Sequence, residues 1–368
     1  MPAEPLSQRL PDFPWDLLGP YGDRARAHPG GIVDLSVGTP VDPTPEPVRA
    51  ALAAAADAPG YPFVHGTAAL RGAAARWVRR TLGATVDPVD VVPTVGSKEL
   101  VAGLPLQLGL GPGARVVVPE LAYPTYAVGA LVAGAEVVRA DGLLELGPSR
   151  VDLVWVNSPS NPTGRVLPTE HLAKVVAWAR ERGAVVVSDE CYVELGWTAQ
   201  PVSVLHPDVS GGSHDGLLAV HSLSKRSNLA GYRAGFVTGD PRLVAELVAV
   251  RKHLGLMVPA PVQAAMVAAL DDDAHVVEQR ARYAARRERL LRAFAAAGFR
   301  VDHSDAGLYL WATAGEPCWD TVARLADHGV LVAPGDFYGP SGAQHVRVAL
   351  TVTDERVDAA VERLTGMR

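Results

Sequence analysis

The chain has 368 residues, more than the ~250–300 at which a single hydrophobic core stops growing, so one large and one smaller domain are expected. Apolar residues make up 48% and charged residues 20%, and the net charge of −6 is spread without any Lys/Arg block. That composition fits a globular enzyme and argues against disorder and nucleic-acid binding.

The opening MPAEPLSQRLPDFPWD lacks the basic and apolar regions of a secretory signal, and no apolar run reaches the ~18–20 residues that span a bilayer. Two cysteines, Cys191 and Cys318, supply neither a disulfide framework nor the spacing of a zinc site. A cytoplasmic protein without bound metal or membrane contact is the expectation.

In chain order, residues 1–45 are proline-rich with few periodic positions and are expected to join the smaller domain as an N-terminal segment. A large domain is expected over 46–275 and a small C-terminal domain over 276–368. The Ala-rich stretch 50–58 reads as helix. Strands follow at VDVVPT near Val89, at 114–120, 135–140, 151–159 and 184–190, separated by helix-like segments. This rhythm predicts an α/β fold with a mainly parallel sheet. The unbroken runs Val116 to Val118 and Val185 to Val187 suit central strands buried on both faces. A crossover helix is expected over 171–183, with Leu172, Val175, Val176 and Ala179 on one face and Gly183 at its end. A single long helix is expected over 271–298, leading into short strands and an α+β unit at the C-terminus.

Several segments carry chemistry. In HSLSKRSNLAGYRAGF, 221–236, Lys225 stands among the hydroxyls of Ser222 and Ser224, with Arg233 eight positions on, so an amine nucleophile and an anion-binding set lie together. Asp189 closes the predicted strand AVVVSDE, at the strand end where α/β sheets bind ligands. In TVGSKEL, 94–100, Gly96, Ser97 and Lys98 follow a strand and open a helix, whose first N–H groups suit a phosphate. Taken singly, each has an ordinary reading: Asn-Pro-Thr-Gly after Ser160 as a turn, Asp189 or Ser97 as a helix cap, Tyr123 as a core tyrosine, Arg347 as an exposed strand arginine. Glu190 rivals Asp189 for either function.

Together and in order, SLSKRSNLAGYRAGF, VNSPSNPTGRVL and VVSDECYVEL resemble the Schiff-base segment and companion motifs of fold-type I pyridoxal-5′-phosphate (PLP) aminotransferases, classes I and II. Over about residues 15–365 the chain is similar in particular to the actinobacterial N-succinyl-LL-diaminopimelate aminotransferases, through phrases such as DLSVGTPVDP, VVPELAYPTY and GVLVAPGDFYGP. The resemblance implies a large domain built on a mainly parallel seven-stranded sheet, a smaller α+β domain, and PLP held covalently by Lys225. Ser222, Ser224, Arg233 and the Gly96-Ser97-Lys98 turn would hold its phosphate. Asn161 and Tyr192 would share its ring oxygen, Asp189 would pair with its ring nitrogen, and Tyr123 would cover its face. Tyr61 would reach the site of a neighbouring subunit, making a homodimer. Arg347 would take the substrate α-carboxylate, and Val37 and Gly38 would belong to a segment closing over the substrate. The implied reaction is ping-pong amino transfer between glutamate and N-succinyl-2-amino-6-oxopimelate in lysine biosynthesis, with Lys225 as acid and base. Arg165, Arg226 and Lys252 are candidates for the distal carboxylates. A PLP β-lyase on the same fold and a non-catalytic PLP-binding regulator are the rival readings.

Overall fold

The computed structural model describes residues 5–147 and 149–367. Near the N-terminus a helix spans Gly19–Arg26, followed by a short strand, β1, at Val33–Asp34. Seven strands then build the main sheet: β2 (Val91–Val95), β3 (Arg115–Val118), β4 (Glu136–Arg139), β5 (Leu153–Asn157), β6 (Val185–Asp189), β7 (Leu217–Ser222) and β8 (Ala234–Gly239). Their order across the sheet is β2-β8-β7-β6-β5-β3-β4. All neighbours are parallel except that β8 runs antiparallel to both β2 and β7.

The valine runs explain the sheet. Successive residues of a strand face opposite sides, and here both sides are covered. Leu153 and Trp155 join a core with Leu100, Tyr126 and Leu247, whereas Val154 and Val156 join one with Trp77, Val175 and Met266. The central strand β6 is the expected VVVSD run, while β3 lies one strand in from the edge formed by β4. The crossover helix occupies Thr169–Arg182 and ends on Gly183 at φ 67°, a left-handed conformation that glycine adopts without steric cost.

A third core contains Tyr283, Leu290, Phe294, Leu310, Val322 and Val346. It lies under a four-stranded sheet made of β9 (Arg300–Asp302), β10 (Tyr309–Thr313), β12 (Ala333–Pro334) and β13 (Val346–Ala349), in the order β12-β13-β10-β9. Leu18, Val33 and Leu35 of the N-terminal segment pack into the same core, and β1 pairs in parallel with β11 (Val330–Leu331).

The long helix expected over 271–298 runs Ala274–Ala296, and a separate helix, Ala260–Asp271, precedes it. Asp272 between them is extended and its carboxylate accepts the Ala274 N–H, the turn-forming habit that keeps Asp out of helix interiors. The Ala-rich helix runs Glu46–Ala54, stopping short of 58. The N-terminal segment holds the Gly19–Arg26 helix, which its prolines concealed.

Candidate active site

A cavity of about 430 Å³ opens over the C-terminal ends of β6 and β7. Val37, Gly38, Ser97, Lys98, Tyr123 and Asn161 line it. So do Asp189, Tyr192, Ser222, Ser224, Lys225, Arg233 and Arg347, stretches up to 310 positions apart in sequence. Gly96 lies just behind it, and Tyr61 is 94% exposed, outside the cavity of its own chain.

On one side, β7 ends at Ser222, whose Oγ accepts the Ser224 N–H at 3.2 Å and starts the single turn bearing Lys225. Arg233 sits at φ 55° just before β8, and its Nη1 donates to the Ala230 carbonyl at 2.9 Å. Its guanidinium lies against Gly96, whose φ of 72° is the left-handed conformation that favours glycine. The Gly96–Gln107 helix begins at this point with first-turn N–H groups that have no helical partner. A guanidinium, two serine hydroxyls and a helix start thus converge on one corner, the donor set a phosphate dianion requires.

Asp189 closes β6 at the floor and is 7% exposed. Its Oδ2 accepts the Tyr126 hydroxyl at 2.8 Å and its Oδ1 accepts the Cys191 N–H at 3.1 Å. The rival Glu190 points away from the cavity. Its Oε1 accepts the Val204 N–H at 2.8 Å, its Oε2 lies 3.8 Å from His221 Nε2, and burial pushes its carboxyl up to about 7. Asn157 orders the next loop, because its Nδ2 donates to the Asp189 carbonyl at 2.9 Å and its Oδ1 accepts the Asn161 N–H at 2.7 Å.

Opposite stands Arg347 in the middle of β13, 2% exposed. Nη1 donates to Asn161 Oδ1 at 2.9 Å, Nη2 donates to the Ser36 carbonyl at 2.6 Å, and Nε has no partner among the described residues. The Tyr309 ring lies 4.0 Å from the guanidinium, and the Tyr309 hydroxyl is 3.2 Å from that of Tyr192. Burial and the Tyr309 neighbour push the Tyr192 phenol well above its ordinary range. Burial likewise raises Tyr123.

Lys98 stands in the first turn of the Gly96–Gln107 helix, and its ammonium lies over the Phe13 ring, which leads through Trp15 to Arg347. The three candidates for distal carboxylates do not line this cavity. Arg226 is buried against Glu194 and the Ala269 carbonyl, Arg165 lines a separate cavity of about 210 Å³, and Lys252 is exposed on another helix. Among the described residues, Lys98 lines this cavity as a cation besides Lys225, Arg233 and Arg347.

The lining residues not assigned to the site from the sequence include Phe13, Trp15, Tyr126 and Tyr309. Tyr126 had a signal, as the second tyrosine of YPTY, while the others come to the site only through the packing of the small domain.

A lysine nucleophile, a phosphate-shaped donor corner, a carboxylate floor and a buried arginine in one cleft of an α/β sheet define a PLP-enzyme site. Residues 31–364 match the aminotransferase class I and II family, and the chain belongs to it. It is 66% identical over 361 residues to a probable aminotransferase of Mycobacterium tuberculosis, covering 98% of this chain and 86% of that one. It is 63% identical over 358 residues to 4-dedimethylamino-4-oxo-anhydrotetracycline transaminase OxyQ of Streptomyces rimosus, covering 97% and 100%. Among solved structures, N-succinyldiaminopimelate aminotransferase from Mycobacterium tuberculosis superposes with a TM-score of 0.89 at 28% identity, covering 100% of both chains. The protein is a PLP-dependent transaminase acting on amino and 2-oxo acids. Among the described residues, no helix is long and apolar enough to cross a membrane.

Proposed function

We propose that the enzyme transfers an amino group between glutamate and N-succinyl-2-amino-6-oxopimelate. The observation that carries the α-amino-acid part is Arg347, a buried guanidinium that lines the cavity of Lys225, as a carboxylate receptor should. For the distal carboxylates of this long substrate, Lys98 supplies a second cation in the same cavity, and a structural neighbour of full coverage bears a matching name.

PLP, when bound, supplies an aldehyde that captures the amino group and a ring that draws electrons from the substrate's Cα. Ser222, Ser224, Arg233, Ser97 and the helix start at Gly96 would hold its phosphate. Asp189 would pair with the ring nitrogen, Asn161 and Tyr192 with the ring oxygen, and Tyr123 would cover one face. Arg347 fixes the α-carboxylate, which sets the Cα–H bond toward Lys225. The amine of Lys225 then removes the proton from Cα. Val37 and Gly38 roof the cavity and exclude water. Tyr61, exposed on this chain, would reach the phosphate of a second copy, in a working unit that is a homodimer.

A second reading has its own support. Phe13, Trp15, Tyr123 and Tyr309 give the cavity aromatic walls, and a relative at 63% identity is named for a polycyclic ketone. The test is spectroscopic: glutamate should bleach the visible band of the holoenzyme, and N-succinyl-2-amino-6-oxopimelate should restore it. Restoration only by a polycyclic ketone selects the second reading, and no bleaching by glutamate refutes the donor assignment.

A further inference from the structure

Asp189 accepts two hydrogen bonds of different kinds. The Cys191 N–H is two residues away and donates as any Asp-turn would. The Tyr126 hydroxyl comes from the Thr125–Ala133 helix, 63 positions distant, and reaches Oδ2 at 2.8 Å. Tyr126 is fully buried, its ring stacked on Trp155 of β5 at 4.8 Å and 21°, with the Tyr123 ring against it edge-on at 5.9 Å.

A phenylalanine would fill that stack equally well, and a buried hydroxyl is costly unless bonded. The oxygen of Tyr126 therefore has one evident task, donation to Asp189. Burial and the adjacent carboxylate hold this phenol far above its usual range, so it stays a donor at every working pH.

We propose that Tyr126 is a positioning residue of the transaminase, which clamps the Asp189 carboxylate in the orientation that meets the cofactor's ring nitrogen. The proposal rests on the reading that Asp189 faces that nitrogen. A hydrogen bond donated to a carboxylate favours its charged form over the acid. The clamp thus acts twice: it aims the free lone pairs of Asp189 into the cavity, and it favours leaving the shared proton on the ring. Trp155, stacked beneath, keeps the phenol from swinging away.

The experiment compares wild type, Tyr126→Phe, Asp189→Asn and the double variant as apoproteins titrated with PLP, alongside the pH dependence of the visible band and apoprotein melting. Tyr126→Phe should raise the PLP dissociation constant roughly 10- to 100-fold, the size of a hydrogen bond to a charged group. It should displace the pH titration of the band and leave apoprotein melting near wild type, since the stack survives. In the Asp189→Asn background the same change should cost little further, because the carboxylate charge that the clamp aims at the ring nitrogen is gone. PLP affinity and band titration in Tyr126→Phe matching wild type would overturn the clamp alone, as would an equal penalty in both backgrounds. An Asp189→Asn variant that binds PLP normally would overturn the placement of Asp189 and the clamp with it.

Discussion

Gly38 offers a sharp test of how the substrate side is built. A Cβ there would lie 2.2 Å from the Tyr309 hydroxyl and 2.9 Å from its Cζ, whereas ordinary contact begins at 3.4 Å. In Gly38→Ala something must therefore shift by about 1 Å, the gap between that separation and normal contact. The segment resists, because the Ser36 carbonyl accepts from Arg347 at 2.6 Å and the Val37 carbonyl accepts from Thr351 at 3.1 Å. Tyr309 resists as well, because its ring stacks on Arg347 and its hydroxyl meets Tyr192. Overpacking of this kind costs about 1–3 kcal/mol. Either displacement falls on the arginine that would bind the α-carboxylate, so kcat/KM for glutamate should drop roughly 5- to 150-fold. Steady-state kinetics with 2-oxo acid acceptors, run beside thermal melting, would show it. A variant with kcat/KM within twofold of wild type and unchanged melting would mean that the segment lifts freely and that Tyr309 is no wall.

Arg347→Lys keeps the charge and loses the planar fork; kcat/KM for glutamate should fall by about 100-fold or more, and a loss under threefold would remove Arg347 from the carboxylate site. Mixing inactive Lys225→Ala with PLP-deficient Tyr61→Ala should restore activity if each site takes its lysine from one copy and Tyr61 from the other; no recovery after subunit exchange would refute the shared site. For Glu190, the unfolded chain releases its proton near pH ~4.3, while the folded one keeps it to about 7. The stability this proton contributes is complete below ~4.3 and lost as pH rises through about 7. Relative to wild type, Glu190→Gln should gain up to about 3 kcal/mol between pH 5 and pH 9 in denaturant unfolding, and a parallel pH profile for the two proteins would contradict a neutral buried Glu190.

The sequence showed the parallel strands because valine runs buried on both faces leave a plain trace. It missed β7 and β8, where LLAVHS and AGFVTG lie against a motif and two glycines. The lysine segment, the Asn161 loop and the Asp189 strand end were legible because each is a local stretch. Contacts between distant stretches were not. Arg226 looked available beside Lys225, yet Glu194, 32 positions away, neutralises it. Asp189 and Glu190 were indistinguishable as letters, and strand alternation sends one into the cavity and the other into the core.

The lone antiparallel strand has a consequence for how the protein is made. Among the described residues β2 pairs with β8 alone, and β8 also covers the outer edge of β7. As the chain leaves the ribosome, β2 must wait for residues 234–239 before it has any neighbour, and β7 shows a row of bare N–H and C=O groups until then. Such an edge is a template for pairing with other nascent chains. Truncations ending before Gly239 should therefore aggregate, while the sheet becomes self-contained once that short, glycine-bracketed strand slides into place.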